Sequence, residues 1–164
     1  MLRHGSIPSQ LKSTAFEVLG WLCGTFQRLP DSYLVDGELK IDDEIPLAMR
    51  RYVDLWKGDW KGERVVVKFV RFPADGNGTR ITKVLVIQAV CSHPAVADAF
   101  PLCQRFCKGM VLWMQLRHAN LLPFYGAYMV DRLGTVSPWL ENGNIVGFTT
   151  RNPEVNRLQL VRCG

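Results

Sequence analysis

Apolar positions in the first thirty residues follow helical spacing. Leu11, Ala15, Val18, Leu19, Leu22, Cys23 and Phe26 recur at intervals of three and four. This predicts an amphipathic helix over 9–28, opened by Ser9 as N-cap and stopped by Pro30 and Asp31. A helix ahead of a sheet packs or links, and no chemistry is assigned to it. From Glu44 the pattern changes. The runs YVDLW (52–56) and ERVVVKFVR (63–71) are β-branched and aromatic, and they flank KGDWKG (57–62), whose two glycines suit a turn. The expectation is an antiparallel hairpin. A loop, PADGNGT (73–79), leads to ITKVLVIQAVC (81–91), an apolar, β-prone run without polar alternation.

Helical spacing returns in RFCKGMVLWMQLRH (105–118), with Phe106, Met110, Trp113 and Leu116 on one face, although Gly109 weakens it by about 1 kcal/mol. LLPFYGAYMV (121–130) and TVSPWL (135–140) read as two strands around a turn at 131–134. ENGN (141–144) reads as a turn or helix start, and Pro153 begins a last helix. Helix, hairpin, insert, helix, strand, strand and short helices make an α+β domain, an antiparallel sheet with one helix packed across it. The chain divides into 1–43, a helix and linker, and 44–162, the sheet unit with an apolar insert at about 79–104.

Composition narrows the function classes. The 164 residues suffice for one domain, and 48% apolar against 21% charged is globular rather than disordered. The net charge of +5 is scattered. Trp56, Lys57, Trp60, Lys61 and Arg64 form a small basic–aromatic set, but on a hairpin, and no nucleic-acid partner is expected. No apolar run reaches about 18 residues, so no membrane span is expected. Five cysteines are an odd number at irregular spacings, which argues against a disulfide framework and for a reducing, cytoplasmic setting. A zinc site from Cys91, His93, Cys103 and Cys107 lacks any Cys-x-x-Cys pair, and buried thiols are the reading adopted. Arg3, Lys12 and Arg28 against Glu17 also fit a mitochondrial leader; a surface-packed helix is the simpler account.

Four segments, in order, resemble the small lobe of protein kinases, especially the tyrosine-kinase-like group. DLWKGDWKGERVVVKFV (54–70) is similar to the family's second and third strands, with Lys68 at the nucleotide-binding lysine. LRHANLLPFYG (116–126) resembles the segment between helix C and the fourth strand. VSPWLENGNI (136–145) resembles the fifth strand and the hinge that holds adenine, and NPEVNRLQLVR (152–162) the run into the first large-lobe helix. The resemblance covers roughly 44–162. It implies a kinase-like small lobe and ATP as cofactor, bound weakly or not at all by this chain alone. Lys68 would face the phosphates. Leu47, Val66 and Leu140 would sandwich the adenine, with Leu55 beside them. Backbone groups near Trp139 and Leu140 would bond its edge, and Ser137 would lie behind it.

The departures from that family are as informative. Its glycine-rich cover aligns with LAMRRYVDL (47–55), where Ala48, Arg50 and Val53 replace the glycines. The helix-C glutamate, counted back from His118, falls on Gly109, and 105–118 contains no acid, so the activating Lys–Glu pair is missing. No His-Arg-Asp or Asp-Phe-Gly motif occurs before Gly164, so magnesium would be held only by a large lobe beyond it, and the chain alone is expected not to phosphorylate. The apolar block at 79–104 reads as a translated intron or as a genuine insert that docks a partner. Two functions follow: the nucleotide-binding half of a protein kinase, or a pseudokinase-type, non-catalytic module that binds a protein through its N-terminal helix or insert.

Overall fold

The sheet is organised around one central strand, β4 (Glu63–Val70). The computed structural model describes residues 8–35, 37–42, 45–50, 52–71, 99–130 and 132–162. On one side β4 pairs antiparallel with β3 (Val53–Trp60) over its whole length, and the pair Trp60↔Glu63 closes the hairpin. Only Lys61 and Gly62 connect them, at φ of 52° and 81°. This is the twisted two-residue turn that hairpins favour. The six-residue turn expected at 57–62 is therefore shorter. Strand alternation continues through it because Trp56, Gly58 and Trp60 all fall on one face.

On its other side β4 pairs with β6 (Leu133–Pro138), which in turn pairs with β5 (Gly126–Met129). Two short strands, β1 (Lys40–Ile41) and β2 (Ala48–Met49), share the outer edge of β3. The strand ladders are all antiparallel, and the α+β class holds. Expected strand 121–130 shrinks to β5, whose N-terminal flank contains Pro123, a residue without an amide to give.

Four helices complete the described residues: α1 (Ser9–Phe26), α2 (Ala99–Trp113), α3 (Ile145–Arg151) and α4 (Arg157–Arg162). Pro8, not Ser9, holds the N-cap of α1, and no side chain caps it. The second helix starts six residues before the expected 105 and stops short of 118. The end of the apolar block, 99–104, thus forms its first turns; the run expected as a strand at 81–91 lies outside the described residues. Asn144 caps α3, its Oδ1 accepting the Gly147 amide at 2.8 Å. The last helix begins at 157 rather than at Pro153.

The two faces of the sheet are covered differently. Val65, Val67 and Phe69 of β4 alternate onto one face with Val136, and all four are buried. The chain before β1 crosses this face as a strap. It starts at the β5 edge, where the Val35 amide donates to the Ala127 carbonyl at 2.8 Å, and ends at the β3 edge, where Ile41 registers with Gly58. Glycines mark both crossings. A Cβ at Gly58 would stand 2.4 Å from the Lys40 carbonyl oxygen, and one at Gly126 2.9 Å from the Val35 side chain. Trp56 and Tyr128 meet Phe69 edge-on at 6.4 and 5.5 Å, and the Arg132 guanidinium covers its ring at 3.8 Å.

The opposite face carries the α1–α2 pair. The two helices approach closely at Gly20 and Gly24; a Cβ on Gly24 would lie 2.8 Å from Lys108 Cε. Cys23, Cys103, Phe106, Cys107, Met110 and Val111 form their shared core against Ala127 and Leu133. Burial, then the neighbouring Cys103 and Cys23, push the Cys107 thiol from 9.0 up to about 12. Among the described residues no helix is long and apolar enough to cross a membrane.

Candidate functional site

Strand register decides which expected site residues meet. In β4 the odd positions face the strap, so Val66 and Lys68 face the other way. Leu55 of β3 and Thr135 of β6 flank Lys68, and Lys57 and Ser137 flank Val66. Ala48 of β2 registers with Leu55, and Ala127 of β5 with Thr135. Ala127 also belongs to the core under α2. Lys68 therefore shares its face with the helix pair, one cross-strand row from Leu133.

Leu55, Val66, Lys68 and Ser137 thus form a contiguous block in the middle of the sheet. Leu55, Val66 and Lys68 are half-buried, whereas Ser137 is fully buried. The remaining three lie at the margins. Leu47 precedes β2 and is exposed. Trp139 and Leu140 follow β6, and Leu140 is exposed as well. Among the described residues, the seven are not gathered into one enclosed pocket. A cavity of about 420 Å³ lies instead between α1 and α2, lined by Phe16, Glu17, Gly20, Trp21, Lys108 and Leu112 among others, and it includes none of the seven.

Two features of this face were not singled out as site residues. Lys57 registers with Val66 and holds its ammonium 4.8 Å from the centre of the Trp139 ring, a cation–π contact. Alternation would have found it, had the turn been read as Lys61–Gly62 alone. Thr135, 8% exposed, stands directly beside Lys68. The face therefore offers two lysines diagonally placed across an apolar floor of Leu55 and Val66.

Hydrogen bonding limits what the margin can do. The Trp139 amide already donates to the Arg64 carbonyl at 3.0 Å, and the Leu140 carbonyl accepts from the Gly143 amide at 2.9 Å. Those two groups are engaged within the chain rather than presented to a base edge. Ser137 is the opposite case. Its Oγ is buried and has no hydrogen-bond partner among the described residues, a condition that ordinarily costs about 1–3 kcal/mol.

No carboxylate pairs with Lys68 among the described residues. Helix α2 bears none in its whole length, and a Cβ at Gly109 would meet open space. At the glycine-cover segment, β2 and β3 close tightly, the Arg50 amide donating to the Val53 carbonyl at 2.8 Å, with the Arg50 side chain exposed. Elsewhere on the hairpin the cations are committed: Arg71 to the Asp54 carboxylate, and Arg64 to Asp42 and, at 3.3 Å, to Asp59. Of the imagined zinc ligands, Cys91 and His93 lie outside the described residues. Among those described, no cluster of three His, Cys, Asp or Glu is placed to hold a metal.

The arrangement suits a ligand with a flat apolar part and a negative part. Among the described residues this face holds no side chain placed as a general base or a magnesium ligand. A scan of protein-family models finds no match to the chain, and no curated protein matches it.

Proposed function

We propose that this protein is a nucleotide-binding small lobe of the protein-kinase type, which engages ATP weakly and does no phosphoryl transfer by itself. The observation that carries the reading is the placement of Lys68. It lies in the central strand, on the face shared with α2, between Leu55 and Thr135 and next to Val66 and Ser137. A lysine so placed presents a point charge to phosphate oxygens, while Leu55 and Val66 give a floor for a purine. Lys57 adds a second charge, and the unpartnered Ser137 hydroxyl a polar group next to that floor. The element order, hairpin, helix and then two strands returning to the hairpin, also supports it.

Weak binding follows from what the face lacks. No acid on α2 fixes Lys68, the glycine cover is replaced by side chains, and the Trp139 amide and Leu140 carbonyl are engaged. Thermal unfolding with and without ATP tests the reading. At ten times Kd the ligand stabilises by about 1.4 kcal/mol, roughly a 3–6 °C rise in Tm for a domain of this size. The rise should vanish in Lys68→Met, which keeps the apolar stem. No rise at any ATP concentration sinks the proposal.

A second reading, a non-catalytic protein-interaction module, is favoured by the acid-free α2 and by the engaged Trp139 amide and Leu140 carbonyl. It expects no response to nucleotide and stabilisation by a protein partner instead.

A further inference from the structure

Helix α1 is apolar on more than the side it buries. Leu19 and Cys23 pack towards α2, and Gly20 and Gly24 allow the close approach. Yet Leu11, Val18, Leu22 and Phe26, spaced seven, four and four residues apart, form a second line that faces outward. Their exposures are 63, 51, 38 and 67%, and Trp21 beside them is 59% exposed. Ala15 continues the line between Leu11 and Val18. A surface helix normally turns polar groups outward. Four large apolar side chains on the outer side of one helix, with Trp21 on the rim of the groove towards α2, therefore call for a partner.

Charge and shape narrow that partner. Lys12 near the start of the helix and Arg28 just past its end are exposed. The only acid on α1, Glu17, lines the groove towards α2 rather than the outer line. A second copy of the chain would bring the same two cations and no carboxylate on that line to pair with them. The line is also a single convex ridge about 22 Å long from Leu11 to Phe26, whereas a protein partner needs a matched groove. A fluid lipid surface needs no preformed match. Its headgroup zone accepts Trp, Leu and Phe to a depth of about 5–10 Å, while lysine and arginine reach its anionic groups.

We infer that α1 is a membrane-surface helix, laid in the plane of an anionic bilayer by its outer line and held there by Lys12 and Arg28. The sheet face with Lys68 takes no part, so this inference stands apart from the nucleotide reading.

The test is co-sedimentation of the full chain with phosphatidylcholine vesicles, with and without phosphatidylserine, and the emission spectrum of Trp21. Binding should need the anionic lipid and weaken as salt is raised. A blue shift on binding should be lost in Trp21→Phe. Val18→Asp and Phe26→Asp change exposed side chains and leave the α1–α2 contact intact; each should lower affinity at least about tenfold. Lys12→Gln should lower it about fivefold. Three outcomes overturn the inference: no binding to anionic vesicles, binding that Val18→Asp leaves unchanged, or a concentration-dependent dimer abolished by Val18→Asp without vesicle binding.

Discussion

The odd and even residues of β4 occupy different environments although they alternate in one strand. Val65, Val67 and Phe69 are at most 2% exposed, under a strap that passes from one sheet edge to the other. Val66 and Lys68, their immediate neighbours, are only half-buried, on a face that α2 covers from the β5 side. The closed face binds the strap to the sheet and contributes rigidity. The half-open face carries Lys68 and, diagonally from it, Lys57, beside the buried Ser137 hydroxyl. One strand thus carries a packed side and, on the proposed reading, a ligand-facing side, and mutations should separate the two.

The sharpest break is Phe69→Ala. It empties the space between Trp56, Tyr128 and Arg132 and should cost about 3–5 kcal/mol in urea unfolding. Val66→Ala, one face over and half-buried, should cost only about 1 kcal/mol. Equal losses would mean that the two faces are not distinct. Next in size is Gly58→Ala. Its new Cβ would collide with the Lys40 backbone, which has no flexible end to move aside, and should cost about 1–3 kcal/mol. Proteolysis should then cut first within the strap.

The helix-bearing face has its own signature in pH. Cys107 stays a thiol in the folded protein up to about 12, while the unfolded chain releases that proton above about 9. Its contribution to stability is therefore complete below 9 and is lost as pH rises from there towards 12, with a slope up to about 1.4 kcal/mol per pH unit. In Cys107→Ala the alkaline stability curve should flatten by that slope; an unchanged curve would place the thiol in contact with water. The smallest effect on stability is Lys68→Met, within about 0.5 kcal/mol, although it should abolish any response to ATP. A large loss there would make Lys68 a packing residue and remove the contrast.

Much of this was legible along the chain. The β-branched and aromatic run 63–71 marked β4, but only the sheet decided which of its residues turn inward. The two later strands were visible as β-prone runs, with their ends displaced by a few residues. The α1 line was legible as helical spacing, but the sequence could not say which apolar residues would be covered. Cys23 is buried and Leu19 partly so, while Leu11 and Phe26 are exposed, because only α2 decides which side is packed. Of the candidate site, Leu55, Val66, Lys68 and Ser137 come together, since register couples them directly. Leu47, Trp139 and Leu140 lie outside the strand ladders that couple the other four, and they remain at the margin.

Local rules, then, determined the α+β class and the central hairpin. They follow from side-chain period and turn stereochemistry, which act over a few residues. Tertiary structure alone decided the rest. The strap makes Gly58 a crossing point rather than a turn residue, and α2 begins within the end of the apolar block. Lys57 meets Trp139, and Ser137 is buried without a partner among the described residues. Each of these depends on contacts between residues tens of positions apart, whose closure is rewarded only by the packing of the whole sheet.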